Sequence, residues 1–594
     1  MTKRLLDVVS IEQAGSLAGL FIERVKRTPN TIAYRYYDTK QAAWRTHTWA
    51  EASKKVLAIQ NALSKEELQA GDRVAIMLKN CPQWAYFEQA ALGLGLVVVP
   101  LYTNDRANNV AYVLQDAGVK LLFIDNELSL KLLEPISSQL QGLSRIISAD
   151  ACPAMPLYPR LASMEDWLSN DNASPLLPKI HIDDLATLVY TSGTTGSPKG
   201  VMLSHRNILF NVSAAVEIFP IYAEDVMLSF LPLSHMLERT LGYYIPMMCG
   251  STVAYARSVQ DLAEDLLSQR PTILISVPRI YERVYNKIIT QLEHKPAFAK
   301  YLFNSAVELG WQRFKMGDGG IRWLILNALI GKKIMAKLGG CVRLAICGGA
   351  PLNPDIAKTF IGLGLNLIQG YGLTETSPII SGNPVENNEP ASVGVALPGI
   401  KVKIGDNDEL LVRSPSNMLG YWHNPEATEA IIDTEGWLYT GDKARIESDH
   451  IYITGRLKDI IVLSNGEKVS PVDIEATISL DPLFEQVLII GEGRPFLTAI
   501  ITLKQEAWKN VSRLQKFKNQ DTNDLTAKAV RHFVLARIAE RLKGFPGYTS
   551  VRAVTLQHEQ WTIDDATMTP TMKLRRAVII ERNLEIIEKM YQGH

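Results

Sequence analysis

The run Tyr190-Thr191-Ser192-Gly193-Thr194-Thr195-Gly196-Ser197-Pro198-Lys199-Gly200 constrains this chain more than any other stretch of it. Ala186, Leu188 and Val189 form a short apolar stretch ahead of it, and Ser204-His205-Arg206-Asn207 opens a helical pattern behind it. Small residues let backbone N–H groups turn inward, hydroxyls add donors, and the lysine adds a point charge. That combination cradles a polyphosphate. The Gly-x-x-x-x-Gly-Lys-Ser/Thr pattern of the common P-loop occurs nowhere in the chain.

With 594 residues the chain has room for several lobes, at about 150 residues per domain. Its 47% apolar content is enough for sizeable cores. Lys+Arg and Asp+Glu balance at 62 each, so composition gives no global pull toward nucleic acid. Five scattered cysteines form neither a metal spacing nor an even disulfide set, and Met1–Asp7 lacks the apolar core of a signal peptide. A reducing cytoplasm is the expected compartment. Thr240–Ala256 carries no charged residue but contains Gly242, Pro246 and Gly250, and reads as helix, turn and strand rather than a membrane span. Trp323–Ile330, flanked by Arg322, Lys332 and Lys333, reads as an ordinary amphipathic core helix. Peripheral association with the inner face of a membrane, and a homodimer, stay open at this stage.

Strand-like runs alternate with helix-like ones through most of the length: Arg73–Leu78, Val97–Pro100, Lys120–Ile124, Thr272–Val277 and Val342–Ile346. This alternation predicts an α/β fold of several lobes built on mostly parallel sheets. Ligands in such folds sit outside the carboxyl ends of the strands, where the glycine-rich loops fall. From about Asn388 the texture changes to short strands and turns, and a break falls near Gly455–Asp459. A compact tail of short strands and charged helices follows.

Further motifs stand in order along the chain. Gly348-Gly349-Ala350 is a close-approach turn between strand and helix. In Gly370-Tyr371-Gly372-Leu373-Thr374-Glu375, an aromatic between glycines can lie flat on a base, a hydroxyl can reach a phosphate and a carboxylate can hold a metal ion. Gly441-Asp442 places an acid after a glycine turn, where it can accept from ribose hydroxyls. Arg456 and Lys458, then Gly466-Glu467-Lys468, combine fixed positive charge with a second glycine turn, and Thr571-Met572-Lys573-Leu574-Arg575-Arg576 is basic.

In order and approximate spacing these motifs resemble the adenylate-forming (AMP-binding) superfamily over nearly the whole chain. Leu231-Pro232-Leu233-Ser234-His235, Ser276-Val277-Pro278-Arg279 and the Lys573 run are most similar to its long-chain fatty acyl-CoA synthetases. The resemblance implies a large N-terminal domain over residues 1–457, with a small β-barrel-like lobe, and a small mobile α+β C-terminal domain over 458–594 hinged at Lys458. It implies that ATP, Mg²⁺, a fatty acid and coenzyme A are used, with an acyl carrier protein as the rival acceptor and a nucleotide-binding protein without catalysis as the rival class. Thr191, Ser192, Gly193, Thr194, Thr195, Gly196 and Lys199 would hold the β,γ-phosphates. Gly348, Gly349, Ala350, Gly370 and Tyr371 would line the adenine, and Thr374 would contact the α-phosphate. Glu375, with Thr194, would coordinate Mg²⁺. Asp442 and Arg456 would bind the ribose, Lys573 would reach the adenylation centre, and Gly466 with Lys468 would border the pantetheine tunnel. His235, grouped with the catalytic residues, matches the aromatic position beside the acyl pocket.

Two positions depart from the family pattern. Asp408-Glu409 replaces a usual Gly-Glu, and Met572 stands where many relatives carry glycine before the lysine. The first is expected to have little consequence; the second fits the long-chain branch.

Overall fold

The computed structural model describes residues 6–592 except residues 154, 169–176, 192–197, 294, 318–319 and 516–523. Six strands pair in parallel at the centre of the larger sheet, in spatial order Leu367–Gly372, Leu344–Cys347, Ile273–Ser276, Val226–Ser229, Thr252–Tyr255 and Ile32–Asp38. Their runs are apolar on both faces because helices cover both, as at Leu344, Ala345, Ile346 and Cys347, all buried. The short strands after Asn388, read from sequence as a barrel-like lobe, form an antiparallel run. It continues the same sheet through Ile379–Gly382 and Val395–Ala396 to His450–Arg456, Leu438–Glu447, Glu409–Arg413 and Lys401–Ile404.

The second sheet pairs Leu161–Ser163, Arg145–Ser148, Val119–Ile124, Arg73–Met77, Val97–Pro100 and Leu185–Thr191 in parallel. Leu185–Thr191 is then met antiparallel by Lys199–Ser204, in a register that sets Thr191 opposite Lys199. The sequence leads from loop to helix with no sign of this return strand. Residues 192–197 therefore connect the two arms of a hairpin, and the helix His205–Ile218 starts only at the far end of the second arm. There Ser204 Oγ accepts from the Asn207 N–H and Asn207 Oδ1 accepts from the Ser204 N–H, a reciprocal cap.

Beyond the turn at Leu457–Asp459 the sheets are small: a hairpin of Ile461–Val462 with Lys468–Val469, and three strands Phe484–Ile490, Leu497–Leu503 and Val551–Gln557. Period-two alternation splits their side chains between two cores. Val487, Ile489 and Ile501 pack with Val530, Val534 and Ile538 of the helix Lys528–Arg541; Leu488, Ile490 and Ile500 pack with Trp561, Met568 and Ile579. The molecule is thus α/β, with two large mixed sheets followed by a C-terminal domain of small ones. Thr240–Ala256 is helix, turn at Gly250 and strand, as its residues suggest, and no helix among the described residues is long and apolar enough to cross a membrane.

Candidate functional site

Strand ends from both large sheets and one turn of the C-terminal domain, Thr569–Lys573, converge on a single cleft. Asp442 and Arg456 are cross-strand partners in the antiparallel ladder, so their side chains leave the same face. Arg456 Nε donates to Asp442 Oδ1 at 3.0 Å, and the Tyr371 hydroxyl donates to Oδ2 at 2.5 Å. Both carboxylate oxygens are thereby oriented, each retaining a lone pair for a ligand. Burial and the Asp442 carboxylate push the Tyr371 phenol far above its ordinary range, so it stays a donor. Glu409 supports the turn from behind, its Oε1 accepting from the Gly441 N–H at 2.8 Å.

Glu375 lies in a helical turn, Thr374–Thr376, directly after the glycine-flanked Tyr371. The Tyr421 hydroxyl donates to Glu375 Oε1 at 2.8 Å, and Lys199 Nζ sits 4.8 Å from the centre of the Tyr421 ring. Tyr421 thus joins the carboxylate to the lysine at the base of the hairpin, because Gly420–Tyr421 pairs with Lys199–Ser204. Among the described residues no hydrogen bond is made to the other Glu375 carboxylate oxygen. Among the described residues no three His, Cys, Asp or Glu side chains stand together as a metal cage. A lone carboxylate suits Mg²⁺, which takes one or two carboxylates and draws its other ligands from phosphates and water. Thr194, expected beside Glu375, lies outside the described residues, as do Ser192, Gly193, Thr195 and Gly196.

Lys573 comes from the other domain. It ends a tight turn closed by Thr569, whose N–H donates to the Lys573 carbonyl at 2.9 Å and whose hydroxyl accepts from the Lys573 N–H at 3.1 Å. Arg576 fastens this segment to the domain core through Glu475 at 2.5 Å. The lysine opens onto the cleft, yet surrounding protein lowers its pKa, Arg456 lowers it further, and Asp442 and Glu375 partly oppose that. These groups therefore share one electrostatic neighbourhood. Met572 adopts a φ of 63°, the left-handed conformation that glycine takes most readily. Asp408, the other departure, has a φ of 61° and an ion pair with Lys443 at 3.0 Å.

His235 stands at the start of the helix Met236–Glu238, its Nδ1 accepting from the Leu237 N–H at 3.2 Å. Burial, helped by the charge of Lys573, lowers its pKa to about 4, so the ring is neutral at pH 7. Leu237 then lies under Gly348, where an added Cβ would approach it to 3.2 Å. Gly349 takes a φ of 81°, while Ala350 is exposed. Away from this cluster, burial pushes the Cys81 and Cys249 thiols up to about 12.

The structure brings together Lys199, Gly348, Tyr371, Glu375, Asp442, Arg456, Lys573 and His235, with Thr191 at the hairpin base, Gly370 beside Tyr371 on the strand Leu367–Gly372, and Thr374, Gly349 and Ala350 on the adjoining turns. Gly466 and Lys468 are exposed on the C-terminal hairpin, and no hydrogen bond or ion pair among the described residues links them to this cluster. Lys458 is exposed in the turn after His450–Arg456. Sequence reasoning missed Tyr421 and underrated Glu409. Gly420-Tyr421-Trp422 carries no chemical pattern of its own, and only strand pairing delivers the phenol to Glu375.

Residues 21–422 match the family described as AMP-binding enzyme, and residues 458–594 match the AMP-binding enzyme C-terminal domain. The chain is 30% identical to the long-chain-fatty-acid–CoA ligase FadD15 of Mycobacterium bovis, over 98% of each protein. It is 32% identical to the peroxisomal long chain acyl-CoA synthetase 7 of Arabidopsis thaliana, over 92% of this chain and 81% of the relative. In fold it is similar to the anthranilate CoA ligase AuaEII in complex with anthranoyl-AMP, with a TM-score of 0.73, 20% identity, and coverage of 97% and 98% of the two chains.

Proposed function

The chain belongs to the AMP-binding enzyme family, and we propose that it activates long-chain fatty acids: ATP and the acid give acyl-AMP and pyrophosphate, and coenzyme A then takes the acyl group and releases AMP. The observation that carries this reading is the delivery of Lys573, from a separate domain, into the neighbourhood of Glu375, Asp442 and Arg456.

The chemical obstacle is charge. A carboxylate oxygen must attack the α-phosphorus of a polyanion, the P–O bond to the β-phosphate breaks, and pyrophosphate leaves with the electron pair. In this reading Lys573 is the cation at the reacting phosphate, and Lys199 is the cation at the leaving group. Thr374 donates to the α-phosphate. Tyr371 and the turn Gly348–Ala350 hold the base, while Asp442, aligned by Tyr371 and Arg456, accepts from the ribose hydroxyls. Mg²⁺ held by Glu375 together with the nucleotide's phosphates would neutralise charge there. Neutral His235 serves as a wall beside the carboxylate and Lys573, not as a base.

The second step requires a thiol to reach the acyl carbon. In this reading the domain after Lys458 turns, withdrawing Lys573 and bringing Gly466 and Lys468 toward the thiol's path. A cytoplasmic location belongs to the same reading, in keeping with the free cysteines among the described residues. The deciding experiment is thiol-dependent AMP formation across fatty acids of graded length, with coenzyme A and acyl carrier protein as parallel acceptors. A preference for long chains with coenzyme A supports the reading. A preference for acetate or an aromatic acid, or turnover only with the carrier protein, overturns its substrate assignment.

A further inference from the structure

Residues 320–336 form one helical segment, Gly320–Leu326, Asn327–Gly331 and Lys332–Ala336 in succession. The sequence reading expects an amphipathic core helix at Trp323–Ile330, with its apolar side buried. The structure departs from this, because the segment is apolar on two sides and only one is covered. On the inner side Trp323 is buried beneath the Arg313 guanidinium, 3.8 Å from the ring centre, and Gly331 lies so close to the Leu363 carbonyl that an added Cβ would stand 2.8 Å from it. On the outer side Ile321, Leu324, Ile325 and Leu329 are 76%, 60%, 54% and 53% exposed. The spacing i, i+3, i+4, i+8 makes them one stripe along the helix.

The charged residues of the segment itself have a single sign. Arg322, Lys332, Lys333 and Lys337 are exposed, and the sequence from 320 to 354 contains no aspartate or glutamate. We propose that this face docks on a lipid bilayer carrying anionic headgroups, with the Ile/Leu stripe at the boundary of headgroups and acyl chains and the cations among the phosphates. Charge complementarity selects this occupant. A second copy meeting the face about a two-fold axis would set the same cations against one another, with no carboxylate of the segment to neutralise them. Docking would place the enzyme where free long-chain acids partition, a benefit that rests on the fatty-acid reading above; the docking surface itself does not.

The test is co-sedimentation of the full chain with vesicles of equal parts phosphatidylglycerol and phosphatidylcholine, against phosphatidylcholine alone. Wild type is expected to bind the anionic vesicles, less so as salt rises. Leu324→Ser with Leu329→Ser, and separately Lys332→Gln with Lys333→Gln, are each expected to lower binding about 10-fold or more. AMP formation from a soluble medium-chain acid should stay unchanged in both. The proposal is overturned if wild type ignores the vesicles, if both double variants bind as wild type does, or if light scattering shows a wild-type dimer that both variants dissociate. Loss of binding in the variants of a protein that activates no fatty acid would support the docking surface and remove the fatty-acid reading instead.

Discussion

Asp442 and Arg456 face one another across an antiparallel ladder, joined by a bond of 3.0 Å from Nε to Oδ1, and the same guanidinium depresses the pKa of Lys573 from the neighbouring domain. Removing Arg456 should therefore have two separate effects. Arg456→Ala is expected to lower kcat/KM for ATP roughly 10- to 100-fold, the range for a hydrogen bond to a charged group. It should also raise the pKa of Lys573 and move the alkaline limb of the rate upward. A fall in kcat/KM with an unmoved limb would mean that Arg456 does not act on Lys573.

In the wild type, the alkaline limb of kcat/KM for adenylation should lie below the ordinary lysine value of about 10.4, because burial and Arg456 both favour the neutral amine. Bound nucleotide adds negative charge beside the ammonium, so the limb in kcat should lie higher than that in kcat/KM. Coincident limbs at an ordinary lysine value would count against the environment described for Lys573.

Lys573→Ala should lower acyl-adenylate formation about 100-fold or more, as loss of a transition-state charge contact does. Thioester formation from supplied acyl-AMP should be nearly unchanged, since that step has the lysine withdrawn. Single-turnover measurements of the two halves distinguish this from equal loss in both, which would contradict the division of labour between domain positions.

Met572 holds a backbone conformation that disfavours side chains by roughly 1–2 kcal/mol. Met572→Gly should relieve that strain, and its unfolding midpoint should not fall. The β-branched Met572→Ile should be worse tolerated there and should slow adenylation by displacing the adjacent lysine. Equal stability for the two variants would show that the turn accommodates either conformation.

His205 gives the chain an acid liability. Its Nδ1 accepts from the Leu17 N–H at 3.2 Å, and burial lowers its pKa to about 4. An unfolded imidazole titrates near 6.5. Between those values the unfolded chain binds a proton that the native state does not, so stability falls as pH drops from about 7 toward 4, by about 3 kcal/mol at the limit. Denaturant midpoints at pH 7 and pH 5 should separate less in His205→Gln than in wild type. An identical separation would place the acid sensitivity elsewhere.

Much of the site is legible in the chain because its chemistry is local. The glycines of 348–349 and 370–372, the acid after Gly441 and the cation run at 573 advertise their conformations or charges within a few residues. Tyr421 gives no such signal, since its role depends on pairing beside Lys199–Ser204, far away in sequence. Glu409 is dismissed from sequence as part of an ordinary turn, yet it holds the Gly441 N–H one residue before Asp442.

By itself the sequence determined the layered α/β class, the polyphosphate loop and the order of the motifs, because periodicity and turn chemistry are properties of neighbouring residues. Tertiary structure alone decided that the loop joins two arms of a hairpin, that Lys573 stands beside Arg456, and that the Ile321–Leu329 stripe is uncovered. Those facts depend on what packs against a residue. Apolar spacing states that a face needs a partner; only the folded chain shows whether it has one.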